Sequence, residues 1–278
     1  GLDPRVEQVY EGVATLLSRY KSGKLPKALK LVPSLTNWEQ IIWITRPDRW
    51  SNHAYYACTR IFASCLRDPM AQRFYNLVLL PRVLEDLKYN KRLNYHLYAA
   101  LKKALYKPAA FYKGVVLPVV DSGACTLRTA IVLSSVLKKV SVPVLHSSAA
   151  LLKMSTNKIY TGSESVFIKT LLDKKYALPY RVIDAVVEHF GRFRQDHREL
   201  PVKWHLALLT LAQRYKNDLS SQQKEVLKEV MRKHSHYQIT PEVRRELFSV
   251  QAGGPAPPRV GGARLANTTQ KLDGMLGY

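Results

Sequence analysis

The stretch HFGRFRQDHRELPVKWH, residues 189–205, concentrates side chains that bind metals or transfer protons. The residues in question are His189, Asp196, His197, Glu199 and His205. Imidazole and carboxylate groups are common zinc ligands and common general acids and bases. The stretch therefore poses a choice between a metal or acid–base site and a charged rim on a helical scaffold.

The spacing of the histidines argues against a metal site. On one helix, His189 and His197 would lie about 12 Å apart along the axis, whereas zinc–ligand bonds are about 2 Å long. Pro201 separates His205 and starts a new helix. The chain contains neither HxxxH nor HExxH. We therefore expect these histidines at helix ends facing a partner, with Arg192, Arg194 and Arg198 opposing the negative end of a helix dipole.

Other catalytic signatures are also missing. DSGACTL lacks the GxxxxGK[ST] pattern of a phosphate-binding loop, and VLHSSAALL lacks the GxSxG turn of a nucleophile elbow. Asp184 and Glu188 lie four residues apart on a solvated helix face, where Arg181 or Arg192 would pair with them. We expect a protein that is not an enzyme and needs no cofactor.

The elements that carry these residues are predicted to be helices throughout. Apolar residues recur at helical spacing, and strand patterns are scarce. Ser51, Thr36, Ser220 and Thr240 are predicted N-caps. Pro81 and Pro118 lie inside apolar runs and should kink or end helices there.

The expected fold class is all-α, as an irregular α-solenoid of stacked antiparallel helix pairs similar to HEAT or TPR arrays. A closed globular bundle is the alternative, since no strict repeat of fixed period stands out. We divide the chain into a lead-in helix or linker (1–23), a helical domain (24–249) and a low-complexity tail (250–278). The tail is rich in Gly, Pro and Ala, which predicts a disordered or extended segment.

Net charge and cysteine content narrow the function classes. The chain holds 43 Lys and Arg against 21 Asp and Glu, a formal net charge of +22. Such a surplus attracts polyanions, with nucleic acid the first candidate and an anionic membrane face the second. Cys58, Cys65 and Cys125 form no CxxC pair, which favours a reduced, intracellular compartment. No apolar run reaches membrane-spanning length, no signal peptide is evident, and the missing initial Met suggests a fragment.

The positive charge is most one-sided between Lys88 and Lys139, where ten Lys or Arg accompany one acid, Asp121. Tyrosines interleave with these cations and could either stack on unpaired bases or pack half-buried. A helical wheel over 91–106 places Leu93, Leu97, Leu101 and Ala104 on a core face. It gathers Lys91, Arg92, Tyr95, Lys102, Lys103 and Tyr106 on the other face.

Two sets of cations are the candidate RNA-binding residues. The first comes from the one-sided span: Lys91, Arg92, Lys102, Lys103, Lys107 and Lys113. The second comes from residues 174–216, which mix both signs and suit a surface touching RNA and protein: Lys174, Lys175, Arg181, Arg192, Arg194 and Lys203. No metal-binding residues are predicted.

Several blocks resemble the bystin family. They are SLTNWEQII (34–42), MAQRFYNLVLLPRV (70–83), VPVLHSSAALLK (142–153), LLDKKYALPYRVIDA (171–185), ELPVKWH (199–205) and RYKNDLSSQQKE (214–225). The likeness covers roughly residues 24–247. The family's charged N-terminal half is absent from this sequence, and the tail after residue 250 does not match the family pattern.

The resemblance implies a non-catalytic ribosome biogenesis factor, required for processing of precursor 18S ribosomal RNA and for assembly and export of the small (40S) subunit. It implies binding to that RNA, to ribosomal proteins of the head and beak and to other assembly factors, and transient contact with a casein-kinase-type kinase. The implied location is the nucleolus and nucleus, with a cytoplasmic phase on late precursors. The alternative is a protein–protein adaptor, linked to cytoskeleton or cell adhesion, without direct RNA binding.

Overall fold

The computed structural model describes residues 1–249 and 266–276, with side chains of the second range described for 270–275. These residues form helices and connecting turns, and no strand occurs among them. The prediction of an all-α fold is therefore confirmed. The chain divides into two compact units, Gly1–Val119 and Val120–Tyr278, a division that the sequence analysis did not anticipate.

The helices of unit 1 are α1 (Pro4–Arg19), α2 (Lys27–Leu31), α3 (Trp38–Ile44), α4 (Asn52–Cys65), α5 (Asp68–Phe74), α6 (Leu80–Asn90), α7 (Tyr95–Ala104) and α8 (Pro108–Phe111). α9 (Leu117–Asp121) follows α8. α1 packs against α3, α4 packs against α7, and α5 packs against α8. These helices thus pack against helices two or three positions further along the chain, as expected where helices stack in successive layers. The stacked rings of Phe62 and Phe74, 4.6 Å apart, lie in this core.

Two π-helical segments precede the prolines that were predicted to kink or end helices. Tyr75–Leu79 connects α5 to α6, and Tyr112–Val116 connects α8 to α9. Pro81 and Pro118 are the second residues of the α-helices that follow these segments. A proline inside an α-helix removes one hydrogen bond and clashes with the carbonyl four residues earlier. The wider π turn changes that hydrogen-bond register, so the chain stays helical through each proline.

The two π-containing helices carry an internal repeat that the sequence analysis missed. FYNLVLLPRV (74–83) and FYKGVVLPVV (111–120) share Phe, Tyr, Val, Leu, Pro and Val at matching positions. The segments also contact each other. The Asn76 amide donates a hydrogen bond of 3.1 Å to the carbonyl of Gly114. Because the motif occurs as one matching pair, it produces no repeat of fixed period along the sequence.

Gly114 should be the most sensitive glycine of this contact. A Cβ at position 114 would lie 2.7 Å from the backbone oxygen of Gln72, so the two helices would have to move apart. We expect Gly114→Ala to lower the free energy of unfolding by about 1–3 kcal/mol, measured by urea denaturation. Gly12→Ala is the matched control, because a Cβ there meets nothing within 4 Å. It should be neutral or stabilising, and equal effects of the two substitutions would contradict the tight contact.

The helices of unit 2 are α10 (Leu127–Lys139), α11 (Val144–Thr156), α12 (Ser163–Asp173), α13 (Tyr180–Arg192), α14 (Val202–Tyr215), α15 (Ser221–Lys233), α16 (Ile239–Phe248) and α17 (Ala266–Leu276). α10, α12, α14 and α16 pack in succession as one layer, and α11, α13 and α15 pack as a second. Within this unit, the two-layer order favours the predicted solenoid-like stack over the alternative of a closed bundle.

Part of the predicted disordered or extended tail is helical. α17 packs against α11, Leu272 is fully buried, and Asp273 forms an ion pair of 2.7 Å with Arg181. These contacts bury an apolar side chain and pair a charge. The Gly- and Pro-rich composition of the tail did not predict either. The remainder of the predicted tail, 250–265 and 277–278, lies outside the described residues.

Two of the four predicted helix caps are confirmed. Ser51 caps α4, and Ser220 caps α15 in a full capping box with Gln223. The other two predictions are wrong. α3 begins after Asn37 rather than at Thr36, and the hydroxyl of Thr240 accepts a hydrogen bond from the His236 backbone inside the first turn of α16. Across the described ranges, none of the helices combines the length and apolarity needed to cross a bilayer.

Candidate nucleic-acid interface

A groove of about 830 Å³ in unit 1 combines cations with aromatic rings. Its cations are Lys21, Lys24, Lys30, Arg60 and Lys103. Its rings are Tyr20, His53, Tyr56, Tyr95, His96 and Tyr106. No Asp or Glu is among the described residues that line it. Polyanions are therefore the ligands that its field favours.

α4 forms one wall of the groove. His53, Tyr56, Arg60 and Ser64 recur every three or four residues, so they share one face of the helix. The opposite face of α4 is buried, with Cys58 and Phe62 fully inaccessible to solvent. The helix thus anchors itself in the core and presents a polar, basic stripe to the groove.

α7 forms the facing wall, and a buried carboxylate fixes where it begins. Asp86 accepts hydrogen bonds from the Asn94 backbone (2.7 Å) and from the Asn90 amide (2.6 Å). Asn94 in turn caps α7, its side chain accepting the backbone N–H of His96 at 2.9 Å. This chain of bonds sets the position of Tyr95 and His96 at the groove.

The turn after α1 closes one end of the groove. The hydroxyl of Ser51, the N-cap of α4, donates to the carbonyl of Tyr20 at 2.5 Å. The Tyr20 hydroxyl donates to the carbonyl of Gly23 at 2.8 Å, and Gly23 adopts φ +95°. A positive φ favours glycine, so this turn depends on the residue type at position 23. The turn brings Lys21 and Lys24 to the groove.

The rings differ in how much of their surface is open. Tyr95 and Tyr106 are 76% and 71% exposed. The imidazoles of His53 and His96 contact each other, with ring centroids 3.7 Å apart and ring planes tilted by 34°. Burial and the neighbouring His53 lower the pKa of His96 below its ordinary value, which favours its neutral form at pH 7. Neutral and tyrosyl rings thus supply stacking surfaces beside the fixed cations.

The groove cations hold no internal counter-charge. Within the described part of the chain, none of Lys21, Lys24, Lys30, Arg60 and Lys103 lies within 4 Å of a carboxylate. Other cations of the protein do make such pairs, including Arg73 with Glu39 and Lys216 with Glu246. The groove therefore keeps its charge available for an external anion.

Comparisons with known proteins identify the family. The family model described as Bystin matches residues 1–255. The chain belongs to the bystin family. It is 60% identical to the bystin of Homo sapiens over 248 residues, which are 89% of this chain and 56% of that protein.

Two further relatives show a similar level of identity to this chain. The bystin of Monosiga brevicollis is 58% identical over 246 residues, 88% of this chain and 59% of that protein. The bystin of Dictyostelium discoideum is 52% identical over 257 residues, 92% of this chain and 54% of that protein. The bystin-family chain thus spans a little over half the length of the curated relatives it matches.

The structure places the first set of sequence-predicted cations of this bystin-family chain on several different elements. Only Lys103 lines the groove. Lys91 and Arg92 lie in the turn before α7, where Lys91 ends α6 with φ +61°, so the predicted helix over 91–106 starts too early. Lys102 lies over the ring of Tyr98, 5.9 Å from its centroid. Lys107 is the N-cap of α8, and Lys113 lies in a π segment.

Most cations of the second set make contacts within the bystin fold. Lys174 donates to the carbonyls of Leu137 and Val140 at the end of α10, and burial lowers its pKa. Arg181 pairs with Asp273, Arg194 pairs with Glu229, and Arg192 donates to the Ser155 carbonyl at 2.6 Å. Lys175 is exposed in a turn with φ +58°, and Lys203 is half-buried on α14.

The stretch 189–205 mixes buried and exposed side chains. His189 and His205 are buried, which corrects the expectation that they face a partner; His197 is exposed. His189 packs within 5.5 Å of the rings of Phe190 and Phe193. Asp196 pairs with Arg198 at 2.6 Å, and this guanidinium lowers the pKa of Asp196 to about 2. Among the residues with described side chains, no three His, Cys, Asp or Glu come together as a metal site.

Asp184, which was predicted to pair with Arg181 or Arg192, contacts a neighbouring helix. Asp184 accepts a hydrogen bond of 2.7 Å from the Gln223 amide of α15. This contact joins α13 to α15 and uses a side chain that the sequence analysis assigned to a solvated face.

Sequence reasoning missed most of the groove because it looked for dense charge. Lys21, Lys24 and Lys30 precede the one-sided span, and Arg60 lies on a helix with little charge. The available signal was the three-to-four-residue recurrence of His53, Tyr56, Arg60 and Ser64, which predicts a polar face on α4. Nothing in one dimension shows that this face meets the equivalent face of α7.

Proposed function

We propose that this bystin-family chain is a non-catalytic ribosome biogenesis factor. It acts in processing of precursor 18S ribosomal RNA and in assembly and export of the small (40S) subunit. Its RNA contact is the groove of unit 1, and its protein partners are ribosomal proteins of the head and beak and other assembly factors. A casein-kinase-type kinase acts on it transiently, and it occupies the nucleolus and nucleus with a cytoplasmic phase.

The observation that carries the proposal is the groove, whose described lining holds five cations and no carboxylate beside the exposed rings of Tyr95 and Tyr106. Family membership supplies the cellular context, and a net charge of +22 supplies long-range attraction to RNA. The use of Lys174, Arg181 and Arg194 in internal contacts favours unit 1 over the second cation set as the RNA contact.

Sedimentation of cell extracts tests the proposal. The full chain should co-migrate with small-subunit precursors, and nuclease treatment should release it. Glutamine at Lys21, Lys24, Lys30, Arg60 and Lys103 should move the protein toward the free fractions. Co-migration that survives both nuclease treatment and these substitutions would instead favour the adaptor without direct RNA binding.

A further inference from the structure

We infer that the groove binds unpaired RNA, with separate bases stacked on Tyr95 and Tyr106, and discriminates against an intact duplex. This inference rests on the proposed function, since it takes the groove as the RNA contact and specifies the form of RNA that fits.

The two tyrosines are placed as stacking platforms. Both lie at the groove mouth with more than two thirds of their surface open. Leaving large rings exposed forgoes the free energy of burying them, which is substantial for an aromatic side chain. The face of a base is a ligand that restores this burial and accepts stacking from any ring.

The cations frame these rings. The ammonium of Lys103 lies 5.4 Å from the centroid of the Tyr106 ring, so a base on Tyr106 would have a phosphate partner adjacent to it. At the other end, the Tyr95 ring meets His96 edge-on at 5.4 Å. Arg60, on the opposite wall, faces the same space. Stacking surface and phosphate partners thus alternate, as in sites for single strands.

The spacing of the tyrosines selects an extended strand. Tyr95 is the first residue of α7 and Tyr106 lies two residues beyond its end. The ten residues of α7 correspond to roughly 15 Å along the helix axis. Neighbouring bases in a nucleic acid helix are about 3.4 Å apart. Tyr95 and Tyr106 therefore lie at opposite ends of a helix too long for them to contact two successive bases of one stack, which favours a strand whose bases are separated.

The dimensions and the charge also suit nucleotides. A volume of about 830 Å³ lies within the range of sites that enclose small organic molecules, about 300–1,000 Å³. A duplex hides its base faces and offers only edges, sugars and phosphates. It could satisfy the cations from outside the groove, but it would leave both tyrosines without a stacking partner.

Fluorescence anisotropy with two labelled probes tests the inference: a 12-nucleotide single strand of RNA and the corresponding duplex. In the full chain, Tyr95→Leu and Tyr106→Leu should each weaken binding of the single strand by about 10-fold. Binding of the duplex should change by less than about 2-fold, because the duplex does not stack on these rings. The salt dependence of single-strand binding should be unchanged, since no cation is removed.

Two further variants separate stacking from other roles. Tyr95→Phe keeps the ring and removes the hydroxyl, so it should retain the affinity for the single strand. Tyr237→Leu is the matched control, because Tyr237 is 82% exposed and lies in unit 2, outside the groove. Circular dichroism melting verifies that each variant is folded.

Three results of these binding experiments would contradict the stacking inference or the proposed RNA contact. If glutamine at the five groove cations weakens both probes while the leucine variants weaken neither, the stacking inference is overturned and the proposed RNA contact stands. If the cation substitutions change neither probe, the proposed RNA contact itself fails. A polyglutamate peptide that binds the groove as tightly as the single strand, with no effect of the leucine variants, would overturn the inference in favour of an acidic protein partner.

Discussion

Replacing Lys21, Lys24, Lys30, Arg60 and Lys103 with glutamine should weaken binding of single-stranded RNA on the order of 100- to 1,000-fold at physiological salt. Each cation that contacts a phosphate releases counterions when it binds. For single strands this release contributes about 0.7 to the slope of log affinity against log salt concentration. Five lost contacts would therefore flatten the slope by up to about 3.5.

The matched control uses the cations that the sequence analysis selected. Glutamine at Lys91, Arg92, Lys102, Lys107 and Lys113 removes the same net charge, so it lowers the overall field equally. These residues do not line the groove, and their loss should affect affinity and slope much less. Anisotropy titrations from 50 to 300 mM salt, roughly the range over which such binding changes most, compare the two variants. A greater loss in the control variant would move the RNA contact out of the groove.

Acid should destabilise unit 2 strongly through His189. Its side chain is 3% exposed, and burial followed by the neighbouring Arg192 lowers its pKa to about 3. In the unfolded chain an imidazole has a pKa of about 6.5. Between these values the unfolded state binds more protons than the folded state, so stability falls as the pH falls. The loss attributable to His189 is about 3 kcal/mol between pH 7 and pH 4.

The hydrogen-bond geometry of His189 acts in the same direction as burial and the charge of Arg192. The Arg192 guanidinium only donates, so the His189 Nδ1 atom 3.2 Å away accepts. The proton of the neutral ring is then on Nε2, which is buried without a partner in the described part of the structure. Protonation at Nδ1 would set two donors against each other. His205 acts in the same direction, because burial and then His236 and His234 lower its pKa to about 4.

Urea denaturation at pH 7 and pH 4 measures the effect. His189→Phe removes the titrating group while keeping a ring in the cluster, so its loss of stability in acid should be about 3 kcal/mol smaller than that of the unsubstituted chain. Phe190→Leu is the control, since it lowers stability similarly at both pH values by removing packing alone. Parallel pH dependence in the His189→Phe variant and the unsubstituted chain would exclude His189 as the source.

Local patterns predicted the helices well, because capping and periodicity act within a few residues. Ser51 and Ser220 mark helix starts through their own side chains. The prolines at 81 and 118 marked real irregularities, but the sequence did not show that each would be a π segment within a continuing helix. The helix α17 was missed for the same reason: its burial depends on α11 and on Arg181.

The groove was less predictable than the fold. The charge of Lys103 and the rings of Tyr95 and Tyr106 were visible on the wheel of α7. Whether a lysine is available depends on neighbours that composition does not show. Lys174 and Lys103 look alike in sequence, yet one donates to two carbonyls of α10 and the other lines an open groove.

The groove is assembled from three separated segments: the turn and helix from Tyr20 to Lys30, one face of α4, and one face of α7. An unfolded chain has no such arrangement, so a ligand of the groove binds the native state alone. By thermodynamic linkage, a ligand present at 100 times its dissociation constant adds about 2.7 kcal/mol to the stability of whatever unfolds with the groove. The protein should therefore resist heat and proteolysis better while a ligand occupies the groove. Its lifetime would then depend on the concentration of that ligand.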